Sequence, residues 1–224
     1  MDPSEQPHDL DQARQLMVEC QVRAWDVLDP RVLEVMATLP RERFVPERYR
    51  ALALSEANIP LAHGQLMMAP KVEGRVLQAL DCQPGDRVLE VGTGSGYLAA
   101  CLAELGGEVL SVDYYESFVH GARENWSSLG LGNLEARQQD AARMDWTDER
   151  FDVIAVTGSM PELHPSFRQA LRVGGRLVAI LGEQPVMEAV LIQRVAENDW
   201  SRESLFETEI PPLVNAYHPR RFQL

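Results

Sequence analysis

The chain has 224 residues, with 34 Asp or Glu against 21 Lys or Arg and a formal net charge of −13. That length suits one α/β domain with an appendage, and the 45% apolar share supports a real core. The acidity argues against sequence-independent binding to a phosphate backbone, which needs a basic face, so no nucleic-acid partner is expected.

In chain order, residues 1–9 read as a disordered N-terminus: short, polar, with Pro3 and Pro7. From Leu10 to Val22, the apolar residues Leu10, Ala13, Leu16, Met17 and Cys20 fall near helical spacing and predict an amphipathic helix. Asp29 as N-cap and Pro30 in the first turn predict the next, burying Val32, Leu33, Val35, Met36 and Leu39 and ending at Pro40. Residues 51–70 read as an irregular loop crossing the top of a sheet. Val72 to Leu80 reads as a helix, and Pro84-Gly85-Asp86 as the turn into the first core strand.

Strands are then expected at 87–91, 108–112, 134–138, 152–157 and 175–181, separated by helices at 97–105, 115–129 and 162–171. That βαβ order predicts a mostly parallel sheet. Two further strand-like runs, 188–195 and 203–210, hinge at Glu197–Trp200 and predict an antiparallel hairpin. Trp25, Trp126, Trp146 and Trp200 are scattered and read as packing residues; Tyr217-His218-Pro219-Arg220-Arg221 reads as a solvated basic end. No run of about 18 apolar residues predicts a membrane span, and the polar, acidic start does not read as a secretion signal. Cys20, Cys82 and Cys101 are odd in number and lack metal-ligand spacing, so neither a disulfide framework nor a metal site is expected, and the expected compartment is the cytoplasm.

The segment Val88-Leu89-Glu90-Val91-Gly92-Thr93-Gly94-Ser95-Gly96-Tyr97 carries the chemistry. A buried strand breaks into a glycine-rich turn and opens a helix, the layout of a nucleotide-type cofactor site. The spacing is Gly-x-Gly-x-Gly, unlike the Gly-x-Gly-x-x-Gly of pyrophosphate binders. The next strand ends on Asp113, about 20 residues downstream, where a carboxylate can take a ribose diol. Asp140, after the third strand, suits a contact to an adenine amino group, though Asp also caps turns. Thr157 ends the fourth strand at the carboxyl edge of the sheet.

This turn, with its preceding carboxylate Glu90, resembles motif I of the class I S-adenosylmethionine-dependent methyltransferases. From about residue 18 to 195 the chain resembles one family among them, the protein-L-isoaspartate O-methyltransferases. The resemblance rests on Asp29-Pro30-Arg31-Val32-Leu33, Pro40-Arg41-Glu42-Arg43-Phe44-Val45-Pro46, Ile59-Pro60-Leu61-Ala62-His63-Gly64-Gln65, Arg87 to Tyr97, Phe151 to Thr157 and Gly174 to Val178. It implies a Rossmann-like α/β fold with a mostly parallel seven-stranded sheet, an antiparallel C-terminal hairpin and an N-terminal helical appendage. Within one compact domain, residues 10–83 would form the helical and acceptor-loop region and 84–224 the cofactor-binding core. S-adenosylmethionine is the implied cofactor, held by Glu90, Gly92, Thr93, Gly94, Ser95, Gly96, Asp113, Gln139, Asp140 and Ala141. The implied reaction is methyl transfer to the carboxylate of an isoaspartyl residue, the first step in repairing aged protein.

The chain departs from the family in three places. Ala24-Trp25-Asp26-Val27 follows Arg23 where an arginine-glycine-isoleucine run is common. Gln139-Asp140-Ala141 stands for glycine-aspartate-glycine. After Gln65, the family's threonine corresponds to Leu66 and its acceptor-holding serine to Met68. An oxygen acceptor that loses hydrogen-bond donors is poorly positioned. The polar candidates for orienting an acceptor are therefore His63, Gln65 and Thr157, with Met68 marking the serine position. Three readings stay open: isoaspartyl repair, a paralogue methylating another protein, peptide or small-molecule carboxylate, and a catalytically silent cofactor-binding module.

Overall fold

The computed structural model describes residues 6–218, with side chains from Leu10 onward. The first helix, α1 (Gln6–Met17), starts inside the stretch expected to be disordered; residues 1–5 lie outside the described residues. It runs on into a π-helical turn at Val18–Val22. The buried line is Arg14, Met17, Val18 and Val22, while Leu10 and Leu16 stay 41% and 56% exposed and Cys20 is exposed. The apolar stripe expected from spacing is thus corrected. The buried face of α1 runs through Arg14 and Met17, which leaves Leu10 and Leu16 on the outer side. Arg14 can be buried because Glu42 and Asp11 accept from its guanidinium at 2.8 and 2.9 Å, and a buried charge needs such a partner.

Helix α2 (Pro30–Thr38) follows its sequence signals closely. Asp29 caps it by accepting from the Arg31 N–H at 2.9 Å, and Val32 and Met36 are fully buried. Residues 51–70 are more ordered than expected. Two short strands, β1 (Ile59–Pro60) and β2 (Leu66–Met67), pair antiparallel and carry Ala62-His63-Gly64 at their tip. Helix α3 (Pro70–Leu80) begins two residues before Val72, with Pro70 at its first position, where a missing N–H costs nothing.

Arg41 joins these pieces. Its guanidinium is fully buried and ion-pairs with Glu73 of α3. It also donates to the Ala53 carbonyl (2.9 Å) and the Met68 carbonyl (2.6 Å), and its carbon lies 4.8 Å from the Tyr97 ring centre. One cation therefore organises the loop between α2 and α3.

The core alternates as expected: β3 (Arg87–Val91), α4 (Tyr97–Glu104), β4 (Glu108–Asp113), α5 (Glu116–Leu129), β5 (Leu134–Gln138), β6 (Phe151–Met160), α6 (Pro165–Gln169) and β7 (Leu171–Glu183). The helix expected at 162–171 shrinks to the five residues of α6, because residues 161–164 form a bend that ends on the N-cap His164 and β7 takes Leu171. The tail forms β8 (Val186–Ala196) and β9 (Asp199–Glu207), joined at Glu197-Asn198. The sheet order is β5-β4-β3-β6-β7-β8-β9, parallel from β5 to β7 and antiparallel through β8 and β9. The central strands β3 and β6 are buried on both faces and mostly apolar, as a sheet covered on both sides requires. Trp126 and Trp146 are buried in the two apolar layers.

After β9 the chain does not leave the sheet. Residues 208–218 run back across the carboxyl end of β6 as a strap. Ser159 donates from its N–H to the Pro211 carbonyl (3.0 Å) and from its hydroxyl to the Ile210 carbonyl (3.0 Å), and accepts from the Leu213 N–H (2.8 Å). Gly158 leaves room for this crossing: a Cβ there would sit 3.0 Å from the Leu213 backbone.

Candidate functional site

The strand order reverses at β3, with β4 on one side and β6 on the other. At such a switch point the loops leave in opposite directions and open a crevice outside the carboxyl ends of the strands. The protein has a cleft there of about 550 Å³, including its open mouth. Val91, Gly92 and Gly94 come to it from β3, Val112 and Asp113 from β4, Gln139, Asp140 and Ala141 from the end of β5, and Thr157 and Gly158 from β6.

The glycine turn is held from both sides. Gly92 donates its N–H to the Val112 carbonyl at 2.8 Å, while the Thr157 hydroxyl donates to the Val91 and Gly92 carbonyls at 3.0 and 2.7 Å. Gly92 has φ +99° and packs its Cα against Thr157, so a side chain there would meet both backbone strain and a collision. Thr157 and Gly158 sit where the β6–β7 register slips, a bulge that turns them toward the cleft. Gly96 caps α4 at φ +80°, and a Cβ there would lie 2.8 Å from the Ala122 Cβ. Gly96 itself does not line the cleft; it lets α5 pack close, and its carbonyl accepts from the Trp126 indole at 2.8 Å.

The Asp113 carboxylate receives the Gly94 N–H at 3.0 Å on one oxygen and the Tyr115 N–H at 2.9 Å on the other. Burial pushes its pKa up, and those two N–H donors counter the rise. Each oxygen keeps a lone pair for a ligand. Asp140 is held by Asn215, whose amide donates to Oδ2 at 2.7 Å, and by Arg143 at 3.5 Å. Its other oxygen, Oδ1, is buried without a partner among the described residues, as is Gln139 Oε1. Two orphaned acceptors beside a cleft are groups waiting for a donor. Gln139 and Ala141 both have negative φ, which is why the chain accepts side chains where the family has glycines.

Glu90 does not line the cleft. It is 1% exposed, and one oxygen accepts from the Ser111 hydroxyl, which in turn lies 2.6 Å from the Thr93 hydroxyl. Its other oxygen has no side-chain partner among the described residues, and burial pushes its pKa up to about 8. Glu90, Thr93 and Ser111 thus form a buried polar knot beneath the turn. Ser95 does not line the cleft; its hydroxyl accepts from the Tyr97 N–H at 3.3 Å.

The acceptor side looks different from its sequence. Gln65 and Leu66 line the cleft; His63 and Met68 do not. His63 lies at φ +56° on the hairpin tip, stacked on Tyr115 with centroids 3.9 Å apart, and its Nε2 is 2.9 Å from the Ser117 hydroxyl. It pins the hairpin to the start of α5. Met68 is buried in the core with Met67, its carbonyl held by Arg41. Sequence reasoning missed Tyr114, Tyr115, Phe118, Leu213 and Val214, which complete the walls. The two tyrosines directly after Asp113 were a usable signal. Nothing local marked Leu213 and Val214, which arrive on the strap.

Fold and cleft define a Rossmann-like methyltransferase architecture with its crevice at the glycine turn after β3. The family model for protein-L-isoaspartate(D-aspartate) O-methyltransferase matches residues 12–217, and the chain belongs to that family. It is 38% identical over 201 residues to the protein-L-isoaspartate O-methyltransferase of Rhodopseudomonas palustris strain ATCC BAA-98 / CGA009, spanning 89% of this chain and 92% of the relative. It is 37% identical over 202 residues to protein-L-isoaspartate O-methyltransferase 1 of Rhodopseudomonas palustris strain HaA2, spanning 90% of this chain and 82% of the relative. Among solved structures, a Plasmodium falciparum protein described as a putative member, in complex with S-adenosyl-L-homocysteine, superposes with a TM-score of 0.79. That match is 21% identical and covers 90% of this chain and 98% of the other, which shows a shared fold. Among the described residues, no helix is long and apolar enough to cross a membrane.

Proposed function

We propose that the chain is an S-adenosylmethionine-dependent O-methyltransferase acting on a carboxylate, with isoaspartyl residues of damaged protein as the acceptor its family implies. Repair in the cytoplasm is the corresponding role, and the −13 charge favours protein or peptide over nucleic acid as the partner. The observation that carries the reading is the pair of unpartnered acceptors, Asp140 Oδ1 and Gln139 Oε1, in a cleft that also presents the Asp113 carboxylate. An adenosine needs just these: an acceptor for the adenine amino group and a carboxylate for the ribose diol. Gly92 and Gly94 leave the backbone open beside them, and Glu90, Thr93, Ser95 and Gly96 act by shaping the turn.

When bound, the cofactor supplies an electrophilic sulfonium methyl group. An acceptor carboxylate is already ionised at neutral pH, so the protein needs no strong base. Its part is alignment and exclusion of water, with reacting atoms near ~3–3.5 Å. Leu66 gives the cleft an apolar wall, and the Gln65 amide is the donor best placed to orient the acceptor.

A second reading is favoured by the acceptor hairpin. Leu66 lines the cleft in place of a hydroxyl, Met68 is in the core, His63 is engaged by Tyr115 and Ser117, and the Thr157 hydrogen is donated to the turn. Few donors remain for a carboxylate, which fits a different acceptor. Transfer of labelled methyl from S-adenosylmethionine to an isoaspartyl peptide separates the two. Turnover comparable to that of relatives establishes repair; tight S-adenosylhomocysteine binding without such turnover points to another acceptor or to a binding module.

A further inference from the structure

The strap does more than wall the cleft. Three residues meet at its end: Asn215 on the strap, Asp140 after β5, and Arg143 one turn beyond. The Asn215 amide nitrogen donates to Asp140 Oδ2 at 2.7 Å, and its oxygen accepts from Arg143 at 3.3 Å. A cation on one end and a carboxylate on the other fix which way the amide faces. Arg143 also reaches Asp140 Oδ2 at 3.5 Å. Both contacts therefore fall on the same oxygen, and Oδ1 of this cleft-lining residue is left buried and without a partner among the described residues. Asn215 itself sits at φ +57°, a conformation Asn tolerates better than most side chains.

We propose that Asn215 is a positioning residue for base recognition: by holding Asp140 Oδ2 it aims Oδ1 at the six-position of a purine and selects an amino group there over a keto group. This rests on the adenosine site proposed above. A carboxylate free to rotate could present either oxygen or turn to solvent, and would discriminate less. A fixed oxygen accepts from an amino group and meets a keto oxygen with repulsion. The strap's own bonds to Ser159 keep Asn215 in place independently of Asp140.

The test is calorimetric binding of S-adenosylhomocysteine and of its hypoxanthine counterpart, S-inosylhomocysteine, to the full chain and to Asn215→Gly. Glycine suits the positive φ, so the strap is not strained by the change. The unmodified chain should bind the adenine compound well over tenfold more tightly. In Asn215→Gly that affinity should fall roughly tenfold, the size expected for losing a bond to a charged group, while the hypoxanthine compound changes little, so the preference collapses. An equal loss for both compounds would mean that Asn215 acts only as cleft wall, and no loss would mean that it does not act at all; either overturns the inference. If the unmodified chain binds neither compound, the adenosine site itself fails and the inference with it.

Discussion

Arg41 holds Met68 by the backbone: its guanidinium donates to the Met68 carbonyl at 2.6 Å while ion-paired with Glu73, and the Met68 side chain is buried in the core. The residue at the family's acceptor-serine position is therefore fixed in space by the main chain, and its side chain fills the layer beneath. Leu66, two residues earlier, is the one that faces the cleft.

Met68→Ser should consequently act on stability first. Removing a buried thioether chain and leaving a hydroxyl in its place should cost about 2–4 kcal/mol. Leu66→Thr, at the cleft wall, should cost less than about 1.5 kcal/mol and change methyl transfer to an isoaspartyl peptide more than Met68→Ser does. Urea unfolding beside labelled-methyl assays checks both; a Met68→Ser protein of full stability and raised turnover would place that side chain in the acceptor site.

Arg41→Ala should lower stability by about 3–5 kcal/mol, because it strands the Glu73 carboxylate in the core together with two carbonyls. The double variant Arg41→Ala/Glu73→Ala should be less destabilised than the sum of the singles. A coupling energy of zero in that cycle, measured by denaturant unfolding, would contradict the pairing.

On the proposed function, in which Asp113 takes the ribose diol, Asp113→Asn should weaken S-adenosylhomocysteine binding by about ten- to a hundredfold, since a charged acceptor becomes a neutral one. The fold should persist, because the amide oxygen can still accept one backbone N–H. Calorimetric titration with circular dichroism as the folding check decides this.

Glu90 gives the chain a pH dependence. Its carboxyl titrates at about 8 in the folded protein and in the ordinary range when unfolded. Between those values the folded state binds more protons, so stability falls as pH rises from about 5 through 8. In Glu90→Gln that component disappears. The unmodified chain should lose on the order of 1–3 kcal/mol more than the variant over this range, read from unfolding midpoints at fixed ionic strength. Parallel curves would show that Glu90 is ionised throughout.

Much of this was legible beforehand where the signals were local. Asp29-Pro30 marked the start of α2, the Val88–Val91 run and its glycines marked β3 and the turn, and Asp113 and Asp140 fell at strand ends where a crevice forms. The errors have a common cause. Leu10, Leu16 and Cys20 were expected inside because apolar spacing counts only apolar residues. Arg14 took that place through a partner, Glu42, 28 positions away. The sequence marks Met68 only as the family's serine position and leaves open whether its side chain lines the pocket; that direction depends on what Arg41 and the core beneath it allow.

By itself, the sequence determined the alternating elements, the glycine turn and the two cleft carboxylates, because helix caps, strand runs and glycine conformations are set by neighbours along the chain. Only the tertiary structure decided which oxygen of Asp140 is free, that Leu66 rather than Met68 meets the cleft, and that residues 208–218 return to close it. Those depend on contacts between segments as far apart as Asp140 and Asn215, where burial and hydrogen-bond geometry, not local propensity, choose the outcome.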